Sequence, residues 1–175
     1  MAGDSLKISL IESGNIEAYR DALDLHLSQV FGEGSTLVLN DEFVCAAIVE
    51  DNNHIVAAGL AYLRLMKQGG NSFDAGIIGG IAVDSEYRGQ GLGKAITSVL
   101  DQFLSSRGVN HAFLFAYKPD VYRSSGYTEL TAPIHYYDVQ QQRWNQFVYR
   151  GGMVKALSSG QPLTDQVIEF NGCVY

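Results

Sequence analysis

A glycine-rich turn between an apolar run and an amphipathic segment constrains this chain more than any other feature. The run from Ala75 to Val83 reads as a strand. Arg88-Gly89-Gln90-Gly91-Leu92-Gly93 follows it and leads directly into Lys94-Ala95-Ile96. From there Leu92, Ala95, Ile96, Val99, Leu100, Phe103 and Leu104 recur at three- and four-residue spacings, which predicts a helix with one apolar face. The turn and the first helical residues aim unpaired N–H groups at one point, where the helix dipole adds positive potential. Glycines let the backbone close on a ligand that a Cβ would hold away. The unit is built for phosphate.

Two familiar owners of such a turn fail on counting. A dinucleotide fingerprint needs G-x-G-x-x-G, and from Gly89 and Gly91 the third glycine would fall on Lys94. A P-loop needs G-x-x-x-x-G-K-[ST]. Gly93-Lys94 supplies its G-K pair, but Arg88 replaces the first glycine and Ala95 the hydroxyl. What remains is R-x-x-G-x-G after a strand.

The rest of the chain predicts alternating strands and helices. Lys7 to Ile11 reads as a strand, and Ile16, Tyr19, Leu23, Leu27 and Val30 give a helix over about 15–31. Phe43 to Val49 and His54 to Met66 form a hairpin across Asp51-Asn52-Asn53, and a polar connector from Lys67 to Asn71 leads to the next strand. After the long helix, which ends near Gly108, come a strand over Ala112 to Ala116 and a short helix from Pro119 through Tyr122. Strands follow at Ile134 to Val139, Phe147 to Leu157 and Val167 to Phe170. With 175 residues, no repeat and no linker, a single domain over 1–175 is expected.

Charge and cysteines narrow the function. Twelve basic against nineteen acidic residues give a net charge of −7, which argues against a nucleic-acid partner and suits a cationic acceptor. Cys45 and Cys173 form no C-x-x-C pattern and His26, His111 and His135 no ligand spacing, so no metal is expected. Met1 to Lys7 lacks the features of a secretory leader and no apolar run is long enough to span a bilayer; a cytoplasmic protein without a membrane partner is expected.

A second motif lies downstream, in Val121-Tyr122-Arg123-Ser124-Ser125-Gly126-Tyr127. Aromatic-x-x-x-Gly-aromatic on a short helix, one amphipathic helix and one strand after R-x-x-G-x-G, resembles the GCN5-related N-acetyltransferase (GNAT) superfamily. The resemblance covers about 75–127 specifically. Bacterial aminoglycoside 2′-N-acetyltransferases look similar across Gly80-Ile81-Ala82-Val83, Arg88-Gly89-Gln90 and Tyr122 to Gly126.

The resemblance implies an α/β (α+β) fold: a mixed central sheet of about six to seven strands flanked by helices, with two parallel strands, about 75–83 and 112–116, splaying apart. It implies acetyl-CoA as co-substrate. Its pyrophosphate would lie on Arg88, Gly89, Gln90, Gly91, Leu92, Gly93 and Lys94, and its pantetheine arm would pair with Ile81, Ala82 and Val83. Gly79-Gly80 would be explained by a bulge or by close approach of the thioester. Tyr122 stands where the family commonly places the tyrosine that protonates the departing thiolate. A phenol is a weaker acid than a thiol, so a hydrogen bond to sulfur could be the larger part of its role.

The chain also departs from the family. The glutamate often found just before this stretch is replaced by Gly79, and the asparagine on the second splayed strand by Ala116. Asp74, Glu50 and His54 are candidate bases by composition and position alone, and each also reads as a solvated strand-end residue. His26 reads as a packed side chain on the first helix. Tyr136-Tyr137, Trp144, Phe147 and Tyr149 read as strand core, with an acceptor pocket or a homodimer seam as the other uses of that cluster.

The functional expectation is direct transfer of acetyl from acetyl-CoA to a primary amine, with a small cationic acceptor favoured over a protein N-terminus or lysine. The alternatives are a catalytically silent acyl-CoA-binding module and a phosphate-binding domain unrelated to CoA.

Overall fold

The computed structural model describes residues 6–116, 118–158 and 162–175, so most of the Met1 to Lys7 stretch lies outside the described residues. The chain divides into two compact units, one comprising Met1–Ala61 and Gly80–Leu100, the other Tyr62–Gly79 and Asp101–Tyr175.

In the first unit, β1 (Ile8–Glu12) pairs antiparallel with β2 (Phe43–Asp51), Ile8 facing Val49 and Glu12 facing Cys45. Five consecutive buried residues of β2, Cys45 to Val49, make it a core strand, covered on both faces. Asn52 and Asn53 both adopt positive φ, the geometry of a two-residue hairpin turn, and lead into β3 (His54–Gln68). The helix expected over about 15–31 divides into a 3-10 segment, Ser13–Tyr19, and α1 (Arg20–Phe31). No side chain caps the start of either piece. Of the expected apolar stripe, Leu23 and Leu27 are buried on α1 and Ile16 on the 3-10 turn. Helix α2 (Leu92–Ser106) sets Ile96 and Leu100 against Gly59 of β3, where a Cβ would come within 2.6 Å of the isoleucine.

In the second unit, Gly69 and Gly70 with positive φ close β3 onto β4 (Asn71–Val83). The connector expected from Lys67 to Asn71 is therefore a tight hairpin turn, and both strands are longer than their apolar runs. Strand β5 (His111–Phe115) pairs parallel with β4 from Ala75 opposite His111 to Ile78 opposite Leu114, and the ladder stops there. Outside β5 lies β9 (Gly152–Ala156), antiparallel, which also pairs with β6 (Thr128–Glu129). A hairpin of β7 (Ile134–Asp138) and β8 (Arg143–Phe147) is joined by β10 (Ile168–Glu169), parallel to β7 and antiparallel to β3. Phe113, Met153, Ile134, Tyr136 and Phe170 are buried at the centre of this unit.

The sheet is mixed, as the resemblance implies, but it has ten strands among the described residues where six to seven were expected. Two of the additional strands, β6 and β10, are only two residues long. The strand expected from Phe147 to Leu157 is broken: β8 ends at Phe147, and Gly151 turns the chain at positive φ while its carbonyl accepts from the Ala116 N–H at 3.1 Å. The turn before β8 forms because Asp138 Oδ1 accepts the N–H groups of Gln140 and Gln141, each at 3.0 Å.

Candidate functional site

The end of β4 is fastened from one side. Ala82 is fully buried, and its carbonyl accepts a hydrogen bond from His26 Nε2 of α1 at 2.8 Å. The Asp84 N–H donates to the Val56 carbonyl at 2.8 Å. Backbone groups alternate in direction along a strand, so those of Ile81 and Val83 point away from the side that Ala82 and Asp84 use. His26, only 1% exposed, is thus the packed side chain expected from the sequence, but its work is to hold the end of β4.

Beyond Val83 the chain is shaped for a turn by local bonds. Asp84 Oδ1 accepts the Glu86 N–H at 2.9 Å and starts a 3-10 turn, Ser85–Tyr87. Tyr87 donates its hydroxyl to Asp51 Oδ2 at 2.6 Å, and this bond to a carboxylate raises the pKa of the phenol. Arg88 Nε donates to the Val83 carbonyl at 3.2 Å. Gly89 and Gly91 take φ of +80° and +77°, and a Cβ at either would meet no protein atom within 4 Å. Both glycines therefore border open space. The Ala95 N–H donates to the Gly91 carbonyl at 3.0 Å, so the N–H groups of Leu92, Gly93 and Lys94 come before the first helical donor. Arg88, Gln90 and Lys94 are exposed around them. Two exposed cations beside a helix N-terminus give this turn the charge and geometry that suit an anion.

Tyr122 belongs to the second unit. It sits on a 3-10 segment, Pro119–Ser125, that opens with a proline and closes on Gly126 at φ +92°. Its ring is half-buried, and burial raises the pKa of the phenol above the ordinary tyrosine value. The proton therefore stays on oxygen at any ordinary pH.

Gly79 is packed by a residue distant in the chain, Tyr175. The ring of Tyr175 stacks on Tyr62 with centroids 3.6 Å apart and planes 4° from parallel. A Cβ on Gly79 would lie 2.9 Å from the Tyr175 Cβ and 3.4 Å from its carbonyl carbon. Arg64 holds the same segment, donating to the Cys173 carbonyl at 2.7 Å and the Phe170 carbonyl at 3.3 Å. Gly80 takes φ of +60°, and a Cβ there would come within 2.9 Å of Leu60. The protein's own chain accounts for both glycines. An arginine inside the apolar run His54 to Met66 was the one available signal, since a buried cation must find acceptors.

The candidate bases remain on the surface: Glu50 and His54 flank the β2–β3 turn and Asp74 lies early in β4, all exposed. Ala116 follows β5 and serves the sheet through its backbone bond to Gly151. In the aromatic cluster, Tyr136 is buried while Trp144 and Phe147 are about half exposed. Tyr149 packs edge-on against Phe115 and Tyr136 and lines an open groove of about 420 Å³ with Glu129, Thr131 and Arg150. Among the described residues no three His, Cys, Asp or Glu side chains cluster as metal ligands, and no helix is long and apolar enough to cross a membrane.

Comparison with known proteins adds a family. Residues 23–130, more than half of the chain, match the family model described as Acetyltransferase (GNAT) domain. No curated protein sequence matches. Among solved structures, a GNAT family N-acetyltransferase from Escherichia coli in complex with CoA superposes with a TM-score of 0.67 at 14% identity, covering 97% of this chain and 93% of that one. An aminoglycoside acetyltransferase from an uncultured soil metagenomic sample, in complex with trehalose, gives 0.55 at 22% identity over 69% of this chain and 86% of that one. A probable N-acyltransferase from Enterococcus faecalis gives 0.63 at 17% identity over 74% of this chain, which spans only 34% of that protein.

Proposed function

Because this chain belongs to the GNAT acetyltransferase family, we propose that it acts as one domain that moves an acetyl group from acetyl-CoA to a primary amine by direct attack in a ternary complex. The observation that carries the reading is the Arg88–Lys94 turn, with two positive-φ glycines beside open space and three helix N–H groups before the first helical donor. Arg88, Gly89, Gln90, Gly91, Leu92, Gly93 and Lys94 hold the pyrophosphate. Ile81 and Val83 offer backbone groups to the pantetheine arm, while the Ala82 carbonyl stays with His26. The amine nitrogen attacks the thioester carbon, the C–S bond breaks, sulfur leaves as thiolate and gains a proton, and the nitrogen loses one. Tyr122 donates its hydroxyl to the departing sulfur. A thiol near 8.5 is the stronger acid than a phenol near 10, and burial raises the phenol further, so stabilisation of the thiolate by a hydrogen bond dominates over complete transfer.

A small cationic acceptor, aminoglycoside-like or polyamine-like, fits the net charge of −7. A second reading, an acyl-CoA-binding module without turnover, is favoured by one observation: the place of the family's glutamate is Gly79, covered by Tyr175. Calorimetry and a thiol-release assay separate the two. Acetyl-CoA should bind the wild type and fail to bind Gly91→Glu, which places a carboxylate where the phosphates lie; equal binding by both proteins would end the donor assignment. A panel of aminoglycosides, polyamines and peptides should then release CoA with at least one acceptor. Binding with no release across the panel would establish the second reading.

A further inference from the structure

Behind the Tyr122 segment lies a buried charge pair for which the transfer chemistry has no use. Lys155 of β9 donates from Nζ to Asp101 Oδ2 at 2.8 Å and to the Ser125 carbonyl at 2.7 Å. Asp101, at the last turns of α2, uses its other oxygen, Oδ1, to accept the Tyr127 hydroxyl at 2.6 Å. The aspartate side chain is only 7% exposed and the lysine 29%, so both charges are largely withdrawn from water. Pairs of this kind are a poor source of stability, because desolvation consumes most of the attraction. What they give is fixed geometry.

The geometry fixed here is that of the segment carrying Tyr122. Ser125 is its last residue, and Gly126 and Tyr127 are the two that follow. The Gly126 N–H returns to Arg123 at 3.0 Å and the Tyr127 N–H to the Tyr122 carbonyl at 3.3 Å, so the Tyr122 backbone is tied to the residue whose ring ends on Asp101. Lys155 lies flat along Gly126, where a Cβ would sit 3.1 Å from Cε. β6 then continues onto β9, with Thr128 opposite Val154 next to Lys155. A 3-10 segment has weaker hydrogen-bond geometry than an α-helix and rarely holds itself in place. This one is clamped at its C-terminal end by one cation, one carboxylate and one phenol.

Resting on the role proposed for Tyr122 as hydrogen-bond donor to the departing sulfur, we infer that Lys155 and Asp101 are positioning residues for that hydroxyl, holding its segment in the orientation that reaches sulfur. Lys155→Met keeps the aliphatic stem and removes the donor. It should lower kcat by about tenfold or more, since a displacement of an ångström can cost more than that. Acetyl-CoA affinity should stay within about twofold, because the phosphate turn makes none of these contacts. Lys155→Arg, which can still donate to both oxygens, should recover most of the rate.

A double-mutant cycle gives the decisive readout. In a Tyr122→Phe background Lys155→Met should cost little more, because there is no hydroxyl left to misplace. Full additivity of the two losses, or an unchanged kcat in Lys155→Met, would overturn the inference. Asp101→Asn tests it from the other partner and should show the same dependence on Tyr122. Retained acetyl-CoA binding by calorimetry confirms that each variant is folded. If Tyr122→Phe alone leaves kcat unchanged, the parent role of Tyr122 fails and the positioning role falls with it, whatever Lys155 does.

Discussion

Replacing Gly79 with alanine tests whether the covered glycine is held by Tyr175, and its magnitude can be worked from the contact. Gly79 has no positive φ, so alanine incurs no backbone strain. The new methyl would stand 2.9 Å from the Tyr175 Cβ, closer than side chains tolerate. Overpacking of this kind costs roughly 1–3 kcal/mol, and the gain from replacing a strand glycine is about 0.5–1 kcal/mol. The net expectation is a loss of about 1 kcal/mol. Tyr175→Gly removes both the offending Cβ and the ring; it forfeits the Tyr62 stack, worth about 0.5–1.5 kcal/mol beyond its buried area. In that background the nearest remaining contact is the carbonyl carbon at 3.4 Å, an ordinary distance. Gly79→Ala should then stabilise by about 0.5–1 kcal/mol. The sign reverses between backgrounds, a coupling of roughly 1–3 kcal/mol. Urea unfolding of the four proteins measures it as shifts of the midpoint at constant slope. The same shift in both backgrounds would refute the account, and glutamate at this position could then be reinstated as a base without disturbing Tyr175.

Tyr122→Phe should lower kcat by about tenfold or more with little change in acetyl-CoA affinity. Because burial raises the phenol's pKa, any loss of rate due to its ionisation must begin above about pH 10; a Tyr122-dependent inflection below that pH would contradict the burial seen here. His26→Ala strips the Ala82 carbonyl of its partner and should destabilise the fold by about 1–3 kcal/mol while weakening acetyl-CoA binding. Unfolding curves and calorimetry check both effects, and unchanged stability would mean the bond to Ala82 is dispensable.

Local features of this fold were legible, and features made by distant contacts were not. The amphipathic pattern from Leu92 to Leu104 marked α2 because every apolar position faces one surface. Asn52-Asn53 marked a hairpin because asparagine tolerates positive φ. The polar run Gln140 to Arg143 hid the turn and strand of the β7–β8 hairpin, since the Asp138 side chain that shapes it carries no apolar period. Gly151 broke an apolar run whose composition alone favours strand. The turn between β4 and α2 was readable down to its glycines, yet the engagement of Ala82 by His26 joins positions 56 residues apart. Nothing in the strand pattern singles out Lys155, and only the fold brings it to Asp101 and Ser125. Tyr175 lies in an irregular segment with no periodicity to interpret.

The open space beside Gly89 and Gly91 bears on how this protein can change over time. A Cβ at either position would meet nothing within 4 Å beyond its chain neighbours, so alanine there would cost the fold little besides the strain of a left-handed residue, about 1–2 kcal/mol. On the proposed function, the demand for glycine there is set by the donor that enters the space and hardly at all by packing. Gly59 is the opposite case: Ile96 and Leu100 enforce it whether or not any ligand binds. A descendant that stopped using its donor could drift at positions 89 and 91 and stay folded, but it would keep its glycine at 59. The two kinds of glycine record separate histories, one of the scaffold and one of the work it does.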